Sequence, residues 1–158
     1  MHIKFVPLTL SILFCLGVGF LGSYFTMPSI PTWYATLNKP FFSPPNFIFA
    51  PVWTTLYILM GVSLYLVWDK SISKKKVKIA VLFFALQLFL NFLWSILFFA
   101  LHSPILALFE IIILWLVILI TIMKFRKVSN ASSLLLYPYI AWVSFASILN
   151  LSIVILNR

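Results

Sequence analysis

The chain has 158 residues, of which 64% are hydrophobic and 8% are charged. Because a soluble domain carries about 25% charged residues, this chain lacks the charge to cover a water-facing surface, and its composition predicts an integral membrane protein in a lipid bilayer. The net charge of +9 is concentrated between apolar runs, which indicates membrane topology rather than nucleic-acid binding. The single cysteine, Cys15, excludes a disulfide framework and a cysteine-based metal cluster, and we expect no metal.

Five apolar stretches are long enough to cross a hydrocarbon core of about 30 Å, which requires about 20 helical residues. The first is longer than the hydrophobic part of a signal peptide and lacks an A-x-A cleavage site, so we expect a retained helix. Pro104 divides the stretch 79–123, because proline suits a helix start and disfavours helix before it. Continuous apolar runs exclude a transmembrane barrel. We predict one all-α domain over 1–158, an integral membrane bundle with helices at about 5–26, 46–68, 78–101, 104–124 and 132–156.

The basic residues indicate the orientation of the bundle. Nine of the eleven lysines and arginines are Lys4 and residues of the loops 70–78 and 124–130, whereas Lys39 and Arg158 fall at the opposite end. By the positive-inside rule, the N-terminus is predicted to be cytoplasmic, and the C-terminus and the loop between helices 1 and 2 to lie outside. The basic loops suit anionic lipid headgroups. No organelle address is evident, so we expect a bacterial inner membrane.

The longest connection, residues 27–45 between helices 1 and 2, is predicted to be an ordered cap on the bundle. It contains five of the nine prolines, and proline removes backbone freedom. It also carries Trp33, Tyr34, Phe41 and Phe42, whose rings argue against disorder. Loops longer than about 12–15 residues are usually functional or disordered, so this composition favours a functional, structured loop.

Polar side chains are rare in the predicted helices, and each is informative about function. Helical spacing places several of them on one face beside aromatic rings. The faces are Trp53, Tyr57 and Met60 on helix 2, Gln87, Asn91, Trp94 and Ser95 on helix 3, and Trp142, Ala146, Leu149 and Asn150 on helix 5. At about 1.5 Å per residue, Trp53 lies ~10 Å below the outer end of its helix, and the other faces reach the same outer half.

Two interpretations of these faces remain open. In the first, they wall an apolar pocket under the loop, with a few amide and hydroxyl groups to orient a flat aromatic ligand that stacks on the rings. In the second, the amides only hydrogen-bond between helices, and the tryptophans are core or interfacial residues. The spacing alone does not separate the two.

Four further features have structural interpretations. Glu110 is expected to form an interhelical hydrogen bond as the protonated acid, and His102 to be a loop residue. Trp68 and Trp115 are expected to face lipid or the membrane interface. Small residues on helix 1 indicate close packing, either inside the bundle, which we favour, or in a dimer. They are Ser11, Cys15, Gly19 and Ser23.

Three segments of the chain resemble signatures of the translocator protein family, also described as tryptophan-rich sensory proteins or peripheral-type benzodiazepine receptors. The length and five-helix plan agree with the resemblance, whereas helices 1 and 4 match it weakly. The segments are WYATLNKPFFSPPNFIFAPVWTTLY (33–57), QLFLNFLWSILFF (87–99) and LYPYIAWVSFASILN (136–150).

The resemblance implies a five-helix bundle, often a homodimer, that binds porphyrins such as protoporphyrin IX and benzodiazepine-site drugs beneath the first loop. Protoporphyrin would be a ligand or substrate, and no cofactor is expected. Lys39 would suit its carboxylates. The positions that match the family motifs, and so would form the pocket, are Trp33, Tyr34, Trp53, Asn91, Trp94, Trp142, Ala146 and Leu149; helical spacing adds Tyr57 and Gln87.

Three functions follow as alternatives. The first is a receptor or sensor that binds porphyrin-like ligands. The second is an enzyme that promotes light-dependent oxidative degradation of protoporphyrin, in which Trp53 and Trp142 would be the catalytic residues, since an indole can donate an electron to an excited porphyrin. The third is a transporter of porphyrin or other small apolar molecules, which the lack of an internal repeat or a helix broken at the midplane weakens.

One departure from the resembling family concerns sterols. Animal members carry a tyrosine just after the Leu-Asn pair of helix 5, and Leu151 follows Leu149 and Asn150 here. The stretch from Val62 through Tyr65 to Lys70 satisfies only the loose sterol pattern, which occurs by chance in apolar chains. We predict no specific cholesterol binding through helix 5.

Overall fold

The computed structural model describes residues 4–70 and 74–158. These residues are mostly helical, and no strand occurs among them. Five helical segments are long and apolar enough to cross a membrane, which confirms the predicted five-helix plan. The elements are α1 (Phe5–Ser29), α2 (Trp33–Thr36), α3 (Asn46–Trp68), α4 (Lys75–Ser95) with a π-helical turn (Ile96–Ala100), α5 (Pro104–Arg126), α6 (Asn130–Leu134) and α7 (Tyr137–Leu156).

The observed bounds differ from the predicted ones at the ends of several helices. α1 continues three residues farther than predicted, through Pro28, so the first loop is reduced to residues 30–45, here called the cap loop. α4 begins three residues earlier, at Lys75, because lysine is a good helix former. The last span is divided into α6 and α7, and Pro138 lies in the first turn of α7, where proline is tolerated.

The bundle has two distinguishable ends. The end that carries the cap loop, the α4–α5 turn and Arg158 is called the loop end. The end that carries Lys70, Lys74–Lys78 and residues 124–130 is called the basic end. α1 packs on α3 and α4, and α5 packs on α4 and α7, whereas the backbones of α3 and α7 stay apart. That separation leaves a side-chain-filled space between the second and the last spans.

Small residues bring α1 and α3 close together. The Ser11 hydroxyl donates to the Gly61 carbonyl at 2.9 Å, and Gly61 lies directly against the Ile12 backbone. Gly19 lies against the Tyr57 ring, and Cys15 is fully buried. The small-residue face of α1 therefore packs inside the bundle, because the absence of large side chains lets two helix backbones approach.

Packing and the ion pair between Lys4 and Asp69 close the described part of the basic end. Phe84 and Phe125 stack with ring centroids 5.6 Å apart. The Lys4 ammonium lies 3.0 Å from the Asp69 carboxylate, and the Lys4 backbone N–H donates to the Tyr65 hydroxyl at 3.0 Å. The hydrogen bond to Asp69 and its charge raise the pKa of Lys4. These contacts join the start of α1 to the end of α3.

Two predictions about single residues are wrong. Trp115 does not simply face lipid: it is half-buried against the core, and its indole N–H donates to the Ser144 hydroxyl at 2.8 Å. Glu110 is buried as expected, but neither of its carboxyl oxygens has a hydrogen-bond partner among residues 4–70 and 74–158. Trp68 is 50% exposed at the end of α3, as expected for an interfacial residue.

Candidate ligand site

Aromatic rings fill the space between α3 and α7 at the loop end. Phe49 on α3 meets Trp142 on α7 edge to face, with centroids 6.1 Å apart. One turn deeper, Trp53 meets Tyr139 at 6.3 Å, and Phe145 lies 5.4 Å from Trp142. We call the region between α3 and α7 that these five side chains fill the aromatic cleft. Since rings rather than backbones join the two helices here, the contact can adapt to a flat ligand with little change in the helices.

Three helices share a polar centre below the cleft. The Tyr57 hydroxyl donates to the Asn91 carboxamide oxygen, and the Asn91 amide N–H donates to the Tyr139 hydroxyl at 3.1 Å. All three side chains are buried. An asparagine amide offers two N–H groups and an oxygen with two lone pairs, so Asn91 keeps spare hydrogen-bonding capacity after both contacts. It can hold α3, α4 and α7 together and still orient a polar group of a ligand.

Trp94 connects this centre to a second aromatic cluster near the cap loop. Its indole N–H donates to the Asn150 oxygen at 3.3 Å, and the Asn150 amide donates to the Pro104 carbonyl at 2.8 Å. The Trp94 ring stacks on Phe98 with centroids 5.0 Å apart. Leu149 is buried in the same cluster. Asn150, which sequence reasoning placed on the right face but left out of the site, therefore fixes the position of Trp94.

The tryptophan and tyrosine of the cap loop lie on this second cluster rather than over the aromatic cleft. Trp33 stacks on His102 at 4.5 Å, and His102 reaches it from a backbone with a φ of 50°. Tyr34 packs against Phe98 and Phe99. Burial raises the pKa of Tyr34 above its ordinary value.

Phe42 is the cap-loop residue that reaches the cleft. Its ring lies 6.3 Å from that of Phe145, at the mouth of the aromatic cleft. The sequence assigned Phe42 to the ordered loop but not to the site, since no spacing rule relates a proline-rich loop to a helix face. The Lys39 ammonium lies over the Tyr34 ring at 4.8 Å and bonds the Leu37 carbonyl at 3.1 Å, so it stays near the loop surface.

The predicted site residues therefore fall into three groups. Trp53, Tyr57, Trp142 and Ala146 pack into one core cluster around the cleft, and Asn91 is hydrogen-bonded to two tyrosines of that cluster. Trp33, Tyr34 and Leu149 belong to the second cluster, which Trp94 joins to the first. Gln87 lies deeper, 1% exposed, with its amide 3.8 Å from the Met60 sulfur. Ligand binding by these residues remains a prediction.

The five helices that are long and apolar enough to span a bilayer define an integral membrane protein. The chain belongs to the TspO/MBR family, whose profile matches residues 11–156. It is 46% identical over 157 residues to the tryptophan-rich protein TspO of Chlorobaculum tepidum, covering 99% of each chain. It is 48% identical over 152 residues to the protein of the same name in Archaeoglobus fulgidus, covering 96% of this chain and 97% of that one. The translocator protein of Bos taurus is 40% identical over 134 residues, which is 84% of this chain and 79% of the bovine one.

Proposed function

We propose that this protein is a receptor or sensor-like membrane protein that binds a planar aromatic ligand in the aromatic cleft. The ligand class is a porphyrin such as protoporphyrin IX, or a benzodiazepine-site drug. The observation that carries the proposal is the pair Trp53 and Trp142, two half-buried indoles on helices whose backbones do not pack together. Flat rings on both walls favour a flat ligand, since offset and edge-to-face contacts between aromatic groups are favourable.

The polar groups around the cleft support the same ligand class. Asn91 and the hydroxyls of Tyr57 and Tyr139 lie at its floor and can orient ring nitrogens. Lys39 is the only cation that the described part of the cap loop carries, and it is suited to the propionate carboxylates of a porphyrin at the membrane surface. An apolar pocket with a few polar groups is the usual form of a small-molecule site.

A second function is favoured by the same two indoles. When porphyrin absorbs light, an adjacent indole can transfer an electron to the excited ring, which passes it to dioxygen and forms superoxide. The porphyrin then returns an electron to the indole radical cation, and the resulting porphyrin radical cation combines with superoxide, so that dioxygen is the oxidant and supplies the oxygen atoms of the product. Trp53 and Trp142 are the donors in this alternative, because both line the cleft. Transport of the ligand is the third alternative, to which the translocator name of the bovine relative points.

The membrane setting completes the proposal. The distribution of basic residues supports an orientation with the loop end outside and the basic end in the cytoplasm. The similarity to proteins of a bacterium and an archaeon supports a bacterial inner membrane as the location. The family membership supports a homodimer, and exposed apolar residues on α1 and α5 provide surfaces for it or for lipid.

A titration with protoporphyrin IX tests the binding proposal. The porphyrin absorbance is followed, because replacing tryptophans alters protein fluorescence. Trp53→Phe with Trp142→Phe is expected to weaken binding about tenfold, or ~1.4 kcal/mol, as smaller rings lose part of their contacts. Trp68→Phe is the matched control, since Trp68 is exposed at the far end of α3. Equal affinity in the double variant and the control would refute the cleft as the binding site.

The two alternatives are separated by further measurements on the same protein. Under illumination, porphyrin loss no faster with protein than in detergent alone would remove the enzymatic alternative. Porphyrin flux into sealed liposomes that contain the protein, compared with empty liposomes, would establish transport. Binding without either activity is the result expected of a receptor or sensor.

A further inference from the structure

The cap loop is fastened to the end of the last helix by one asparagine side chain. The Asn38 backbone N–H donates to the Asn157 carboxamide oxygen at 2.9 Å, and the Asn157 amide donates to the Asn38 carbonyl at 2.9 Å. The two residues are 119 positions apart in the sequence. A single carboxamide therefore pairs with both backbone groups of one loop residue, as a neighbouring strand does in a hydrogen-bonded pair of a sheet.

The contact depends on the side chain of Asn157 and on the backbone of Asn38. The Asn38 side chain adds only a longer hydrogen bond, 3.4 Å to the Leu156 carbonyl. The Asn157 amide is held in place by a second donation, 2.8 Å to the Ile153 carbonyl in the last turn of α7. The two ends of the contact should consequently respond very differently to mutation.

The position of Asn38 makes this contact the junction between the loop and the site. On one side, Leu37 packs in the cluster that contains Tyr34 and Leu149. On the other side, the chain continues from Lys39 to Phe42, whose ring lies against that of Phe145 at the edge of the cleft. Releasing Asn38 from α7 would free the half of the loop that carries Phe42 to move away from the cleft.

We propose that Asn157 is a positioning residue that latches the cap loop over the cleft and thereby sets the rate at which ligand enters and leaves. The hydrogen bonds are exposed to solvent, so water competes for them and each is weak. A contact of that strength suits a latch that opens repeatedly. The effect on ligand exchange rests on the proposed function, whereas the effect on loop motion does not.

Hydrogen–deuterium exchange of the loop amides in nanodiscs tests the latch without any ligand. Asn157→Ala is expected to speed exchange in residues 37–43 by about three- to tenfold, because the variant loses one to two weak hydrogen bonds to the loop. Asn157→Asp should have an intermediate effect at neutral pH, because its carboxylate accepts from the Asn38 N–H but cannot donate to the carbonyl. Asn38→Ala should lie close to the unmodified protein, since it keeps both backbone groups.

The matched control is Ser152→Ala, a half-buried position on the same helix whose hydroxyl donates to the Ile148 carbonyl of its own helix. The same exchange data report on the last turn of α7, so fraying of the helix is distinguished from release of the loop. If Asn157→Ala and Ser152→Ala give equal loop exchange, or if Asn38→Ala matches Asn157→Ala, the latch is overturned. Asn157→Asp provides the test if the alanine variant fails to fold.

Stopped-flow measurements with protoporphyrin IX then test the link to the site. Asn157→Ala should raise the association and dissociation rates together, about three- to tenfold, and leave the dissociation constant nearly unchanged, because the latch lies outside the cleft. A merely structural role would lower affinity or stability without this paired change, and that result would overturn the link. Failure of the unmodified protein to bind protoporphyrin would refute the proposed function while the exchange experiment still decides on the latch.

Discussion

The two ends of the bundle use aromatic residues in opposite ways. At the basic end, Phe84 and Phe125 stack inside a closed core, each 1% exposed or less. At the loop end, Trp53 and Trp142 remain half-buried, and rings hold α3 and α7 at a distance. At the basic end, the Ser63 hydroxyl on α3 donates to the Ser132 carbonyl on α6 at 2.7 Å. The α3 backbone therefore contacts the first part of the last span, α6, but stays apart from the second part, α7.

Because of this difference, the residues that determine the stability of the protein are expected to differ from those that form the proposed ligand site. Close helix packing through small residues depends on exact fit and tolerates little added volume. Rings that bridge two helices can tilt or separate at lower cost, and a ligand can take their place. The basic end and the α1–α3 contact should therefore dominate the free energy of unfolding, and the loop end should dominate ligand binding.

The largest expected difference between the loop end and the basic end is the side of the membrane on which each lies. Ala35 on the cap loop and Lys127 at the basic end are both exposed, whereas the native Cys15 is fully buried and should not react. With a membrane-impermeant maleimide on intact cells, Ala35→Cys should label and Lys127→Cys should not, because the positive-inside rule places the basic end in the cytoplasm. Both variants should label in lysed cells. If only Lys127→Cys labelled in intact cells, the predicted orientation would be wrong and the basic end would lie outside.

The contact between α1 and α3 should be the most sensitive to added volume. A Cβ at Gly61 would overlap the Ile12 backbone, which cannot rotate away as a side chain does. Gly61→Val is expected to lower the free energy of unfolding by about 3 kcal/mol, the upper part of the range for overpacking. The control is Gly17→Ala, where an added Cβ would have no heavy atom within 4 Å apart from its chain neighbours and the nearby backbone of its own helix. Thermal unfolding in detergent measures both, and equal melting temperatures would show that α1 and α3 do not pack as described.

Two buried amides on α4 differ in their hydrogen bonds. Asn91 bonds two tyrosine hydroxyls, whereas the Gln87 oxygen has no partner among the described residues. Asn91→Leu removes the partner of two buried tyrosine hydroxyls and should cost about 2–3 kcal/mol. Gln87→Leu should be nearly neutral, since Gln87 bonds only the Met60 sulfur at 3.8 Å, and its oxygen has no partner within the described segments. Comparing unfolding of the two variants tests this contrast, which fails if Gln87→Leu is the more destabilising.

The sequence predicted the parts of the fold that depend on local patterns. Apolar runs located the five spans, and helical spacing placed Asn91 and Trp94 on one face, because both signals arise within a single helix. Spacing does not say which neighbouring helix a face meets. For that reason the bond from Trp115 to Ser144 was missed, and Glu110 was assigned a partner that it lacks among the described residues.

The cap loop shows the same limit more strongly. Its prolines and aromatic rings predicted an ordered structure, but Trp33 stacks on His102, a residue that the sequence assigned to a different loop with no role in the site. The latch between Asn38 and Asn157 joins two residues 119 positions apart, and neither lies in a periodic segment that would reveal the contact. Only tertiary structure brings such residues together, since loop conformation is set by the surface on which the loop rests.

The smallest expected effect belongs to the ion pair at the basic end. The Lys4 side chain is 67% exposed, and exposed pairs contribute little because water and salt screen them.

Asp69 raises the pKa of Lys4 above its ordinary value of 10.5. From neutral pH upward, the stability from this pair is therefore fully present until the pH approaches 10.5, and it is lost as the pH rises through the folded-state pKa of Lys4. Asp69→Asn should lower the melting temperature only slightly at neutral pH, and by less in high salt. Lys4→Gln should have the same effect, because both variants remove the same ion pair. A loss comparable to that of Gly61→Val would mean that the basic end is held by charge rather than by packing.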